Sequence, residues 1–101
     1  MSDNEKETLI KNMVDNLPTL RKKLGVTQEG LAELAGISRS TLANIENRKR
    51  RMTWNNFLAL LLIFIKNKET DKLLSVMEIY TDELNDFIKQ NTTQIECAKE
   101  V

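Results

Sequence analysis

The sequence predicts an all-α protein, and three observations carry that prediction. Apolar residues recur at steps of three and four along most of the chain, the spacing of a helix face. Few β-branched or aromatic runs occur, with aromatics at only 5%, which disfavours strands. Three Gly and one Pro interrupt 101 residues, leaving long stretches free to stay helical. At this length one small domain with a modest core is expected.

The elements follow in order. Ile10, Met13, Leu17, Leu20 and Leu24 step by 3, 4, 3, 4 along one helix face. Pro18 falls inside that run; it lacks an N–H and disfavours the α region at Leu17. A kink, or two helices meeting near Asn16, is therefore expected before Gly25 stops the run. Thr27 is suited to cap a helix starting at Gln28, with Leu31, Leu34 and Ala35 as its inner face and Gly36 as its end. Ser38 can cap the next helix, whose Leu42 and Ile45 face inward. Two short helices separated by Ala35-Gly36-Ile37 make a helix-turn-helix unit, with Gly supplying the backbone freedom of the turn. Thr53 caps a further helix, apolar around nearly its whole circumference from Phe57 to Ile65. Its nine-residue apolar run is far short of the roughly 20 that span a bilayer, so it reads as a buried helix. Leu73, Met77, Tyr80, Leu84 and Phe87 then step by 4, 3, 4, 3, a heptad-like seam that Thr70 can cap. Residues 91–101 read as a frayed end.

Composition excludes several chemistries. With no His and a single Cys, Cys97, neither an internal disulfide nor a zinc site can be built. No cofactor or metal is expected. The lack of His removes the usual general base, and no Ser, Cys or Lys sits in a nucleophile motif. Gly25, Gly30 and Gly36 form neither a P-loop nor a dinucleotide fingerprint, so the chain is not expected to be an enzyme. The start, MSDNEKETLI, is polar without an apolar signal core, which predicts a cytoplasmic protein with no membrane partner.

Charge is unevenly spread. Fifteen Lys+Arg balance fifteen Asp+Glu. Yet residues 21–51 hold eight basic residues against three acidic ones, residues 1–20 two against four, and residues 67–101 four against eight. A basic middle lies between acidic ends, and the neutral total conceals it.

The stretch LRKKLGVTQEGLAELAGISRSTLANIENRKRRMTW carries a resemblance. Its TQE-x-LA start, its A-G-I-S turn, its S-R-x-T-L-x-x-I-E helix and its basic N-x-K-R segment stand in register. Together they resemble the phage repressor/Cro family of helix-turn-helix regulators, the XRE type, over roughly Leu20 to Ile65. The resemblance implies a compact five-helix repressor-like DNA-binding domain with an additional C-terminal amphipathic helix. Residues 1–19 are then an N-terminal helix and lead-in, 20–66 the helix-turn-helix domain, and 67–101 an acidic C-terminal helix with a frayed tail. That last segment would serve dimerisation or a protein partner.

The recognition helix can be reasoned from its residues as well. If Leu42 and Ile45 point inward, Arg39, Ser40, Ala43 and Asn44 lie outward. Arg can bind guanine, and Asn adenine, through two hydrogen bonds each. The family's base-contacting positions fall on Arg39, Ser40 and Asn44. By the same resemblance Thr27 and Gln28 grip a phosphate at a helix N-terminus, where free N–H groups and a positive dipole end favour an anion. Asn47, Lys49, Arg50 and Arg51 follow the recognition helix where the family touches the DNA backbone, and Thr41 is a further candidate. Related proteins join the first helix to the recognition helix by a buried ion pair, here matched by Arg21 and Glu46. Trp54 is expected to pack under the basic loop as a core residue. Three departures stand out: Gly30 in a helix interior, Arg48 where Gly commonly ends the recognition helix, and Met52 in place of a frequent Pro.

Function follows as an expectation: a sequence-specific transcriptional regulator, a repressor acting as a homodimer on palindromic double-stranded DNA. An antitoxin or restriction-system controller would use the same fold. A protein-interaction module that has lost DNA binding is the competitor from another class, although it gives no reason to keep the basic cluster together.

Overall fold

The computed structural model describes residues 1–90, and all its regular elements are helices. They are α1 (Asp3–Leu24), α2 (Gln28–Ala35), α3 (Arg39–Glu46), α4 (Trp54–Ile65) and α5 (Lys68–Val76). A sixth, α6, covers residues 82–90. The expected five-helix domain with one more amphipathic helix is what the chain builds. The expected frayed end at 91–101, with Cys97, lies outside the described residues.

Side chains fix where each helix starts. Ser2 accepts a hydrogen bond from the Glu5 N–H at 3.2 Å while its own N–H donates to the Glu5 carboxylate at 3.0 Å, a reciprocal cap on α1. Thr27, Ser38 and Thr53 cap α2, α3 and α4 in the same sense, each accepting from an N–H three residues on. Gly25 and Gly36 end α1 and α2 at φ of 82° and 72°, left-handed conformations that cost Gly little.

Of the two expectations at Pro18, the structure overturns that of two helices meeting near Asn16. α1 runs unbroken from Asp3 to Leu24 with Pro18 inside it. Leu17 and Leu20 on either side are fully buried, and this packing outweighs the lost backbone bond. A second correction concerns Leu34, which is 61% exposed; Ala32 joins the expected Leu31 in the core, and Ala35 is half-buried against it. α4 buries Phe57, Leu60, Leu61 and Phe64 but leaves Leu62 58% exposed, so it is not enclosed on every side.

The C-terminal seam is also divided. Asn67, not Thr70, caps α5, accepting from the N–H groups of Glu69 and Thr70. The Thr70 hydroxyl is buried and donates to the Phe64 carbonyl at 2.6 Å, tying α5 to the end of α4. After Val76 the chain turns at Glu78, which has φ of 55°, and the Asn12 amide clamps the Glu78 carbonyl at 3.0 Å. Ile79 is driven into the core between the helices. Thr81 then accepts from the Leu84 N–H at 3.1 Å, starting α6. Trp54 is half-buried and stacks on Phe57 at 4.9 Å between ring centroids, with the Lys6 ammonium 5.3 Å from its ring.

Gly30 illustrates slack in α2. A Cβ placed there would meet only Thr27 Oγ1 at 3.4 Å and the Val26 Cβ at 3.6 Å, both ordinary contacts. Gly30→Ala is expected to raise stability by about 0.5–1 kcal/mol, read as a higher urea midpoint with an unchanged slope.

Candidate nucleic-acid interface

α2 and α3 pack directly against each other, and their meeting shapes the surface. Leu42 and Ile45 are fully buried beneath α3. Arg39, Ser40 and Asn44 are exposed, while Thr41 and Ala43 are half-buried. Ser38 organises the start of the helix: its hydroxyl accepts from the Thr41 N–H at 3.0 Å, donates to the Thr41 hydroxyl at 2.8 Å, and lies 3.3 Å from the Ser40 hydroxyl. Arg39 has no ion pair among the described residues.

An open cleft of about 360 Å³ brings Thr27, Gln28, Glu29 and Arg39 together over Arg21. The N-terminus of α2 therefore lies beside the first residue of α3. An anion in that cleft would meet free helix N–H groups and the Arg39 guanidinium together. Thr27 Oγ1 already accepts from Gly30 N–H, so Thr27 could offer only its hydroxyl proton. Glu29 stands on the same rim as the one carboxylate lining the cleft.

Beneath the cleft, Arg21 Nε lies 3.0 Å from Glu46 Oε2 and Arg21 Nη2 lies 3.3 Å from Glu46 Oε1. The side chains are 19% and 5% exposed. This fork joins α1 to the last residue of α3 and fixes the angle at which the recognition helix is presented. Arg21 is thereby engaged inward.

The basic loop after α3 has a structure of its own. Arg48 takes φ of 62°, the left-handed conformation that Gly would supply. Its guanidinium donates to Asp15 at 2.8 Å, and Arg51 pairs with Glu7. Asn47, Lys49 and Arg50 are exposed, and the two cations have no ion pair among the described residues. Sequence reasoning grouped Arg51 with Lys49 and Arg50 and overlooked the acidic partners on α1. Glu7, Lys11 and Asp15 step by four, a stripe that could have flagged them. Hydrogen bonds from Lys11 and Arg48 hold the Asp15 carboxyl below its ordinary range.

Arg48→Gly is expected to be neutral or stabilising by up to about 2 kcal/mol. Relief of the left-handed conformation, about 1–2 kcal/mol, exceeds an exposed ion pair worth about 0–1 kcal/mol. A thermal melt equal to or above that of the unsubstituted protein is the expected reading.

The geometry is that of a helix-turn-helix, and residues 19–60 match the helix-turn-helix family model. Residues 19–60 carry a helix-turn-helix of the XRE type. No curated protein and no solved structure matches the chain. The XRE domain is a DNA-binding module of transcription regulators and does not belong to an enzyme family. Among the described residues no helix is long and apolar enough to cross a membrane, and no group of His, Cys, Asp or Glu side chains could hold a metal ion.

Proposed function

We propose that this protein is a cytoplasmic, sequence-specific repressor that binds a palindromic operator as a homodimer. The exposed polar face of α3, backed by fully buried Leu42 and Ile45, is the observation that carries the reading. Arg39, Ser40 and Asn44 read base edges in the major groove. Thr27 and Gln28 hold a phosphate at the α2 N-terminus, and Thr41, Asn47, Lys49 and Arg50 hold further backbone positions. Arg51 is in reach of the backbone only when Glu7 releases it.

Dimerisation follows from the size of the reading head. One recognition helix covers a single half-site, and two of them on a twofold axis address half-sites about 34 Å apart. Leu62 on α4 and Val76 at the end of α5, 58% and 80% exposed, offer apolar surface for a second copy. The acidic C-terminal segment would then lie away from the duplex. Selection from a random duplex pool tests the proposal. An enriched palindrome with half-sites about one helical turn apart supports it, and a pool without enrichment at low salt contradicts it.

A further inference from the structure

The cations that close the basic loop are not equivalent. Lys49 and Arg50 are exposed without an ion pair among the described residues, whereas Arg48 and Arg51 are each held by an α1 carboxylate. The pairs join residues 33 and 44 positions apart in sequence, so neither is a by-product of helix spacing. Asp15 is shared, receiving Lys11 and Arg48 at 2.8 Å each. Glu7 and Asp15, eight residues apart on α1, thus set two carboxylates against the flank of the loop.

We infer that Glu7 and Asp15 compete with DNA phosphate for Arg51 and Arg48, setting the affinity of the domain for any duplex by withholding two cations from it. The inference rests on the DNA-binding reading above and concerns the strength of binding rather than the bases preferred. An exposed ion pair is weak and screened by salt, whereas a cation seated on the duplex releases a condensed counterion. The two fates of each guanidinium are therefore close in free energy, and the carboxylate decides between them.

The test uses the full chain, a short duplex of arbitrary sequence, and the variants Glu7→Gln and Asp15→Asn, each checked for folding by its melt. Each variant is expected to tighten binding about two- to fivefold at low salt and to steepen the salt dependence by about 0.9 in slope. Arg51→Ala is expected to be nearly silent in the unsubstituted protein yet to abolish the gain of Glu7→Gln. Arg48→Ala is expected to do the same to Asp15→Asn. Glu69→Gln, whose carboxylate pairs with Lys72 on α5, should leave affinity and slope unchanged. Weaker binding by the variants would mean that the acids position the arginines on phosphate, and overturns the inference. Unchanged binding, or a gain that survives Arg51→Ala, overturns it equally. An unsubstituted protein that binds no duplex at low salt defeats the DNA-binding reading itself, and this inference with it.

Discussion

Glu46→Ala is expected to lower stability by about 3–4 kcal/mol and the melting temperature by more than about 10 °C. The substitution removes the partner of a largely buried guanidinium, and an uncompensated buried charge costs far more than the pair itself contributes. The loss is structural as well as electrostatic, because the pair spans 25 residues and connects α1 to the end of α3. Replacing both partners, as in Arg21→Met with Glu46→Leu, should recover most of the loss, since a well-packed apolar pair avoids the desolvation of two ions. Urea unfolding of the two variants measures both effects. A Glu46→Ala protein within about 1 kcal/mol of the unsubstituted one would show that solvent reaches Arg21 well enough to replace its partner.

Arg39→Ala combined with Asn44→Ala should weaken binding to a selected operator by about thirtyfold or more, each residue contributing about 1–3 kcal/mol of base discrimination. Both side chains are exposed, so the melting curve should move little, and the loss can be assigned to recognition. Preference at the bases each residue reads should relax, while affinity for arbitrary duplex changes less. Lys49→Ala should behave oppositely: binding to all sequences weakens alike, and the salt slope becomes shallower by about 0.9. Equal effects of the two kinds of variant on operator and arbitrary duplex would dissolve the division between reading and gripping.

The parts of this fold legible in the sequence are those fixed by local chemistry. Thr27, Ser38 and Thr53 announce helix starts because a short side-chain oxygen satisfies N–H groups three residues on. Gly25 and Gly36 announce ends because the left-handed backbone suits Gly. The buried set under α3 follows from the spacing of Leu42 and Ile45. What escaped depends on neighbours distant in sequence. The turn at Glu78 carries no Gly and is held partly by Asn12, 66 residues earlier, so the apolar steps from Leu73 to Phe87 looked like one helix. Pro18 stays helical because Leu17 and Leu20 are buried by other elements. Leu34 follows α2's spacing yet points to solvent, since Ala32 occupies the packed position. The basic loop shows the same limit: composition reveals four cations in a row, and only the fold places Glu7 and Asp15 against two of them.

Backbone amide shifts during titration with a selected duplex map the DNA-facing surface residue by residue. Perturbations are expected at Thr27 and Gln28, from Arg39 to Asn44, and from Asn47 to Arg50, with α5 and α6 nearly silent. Perturbations concentrated on α4 to α6, with α3 unmoved, would contradict the assignment of α3 as the reading helix.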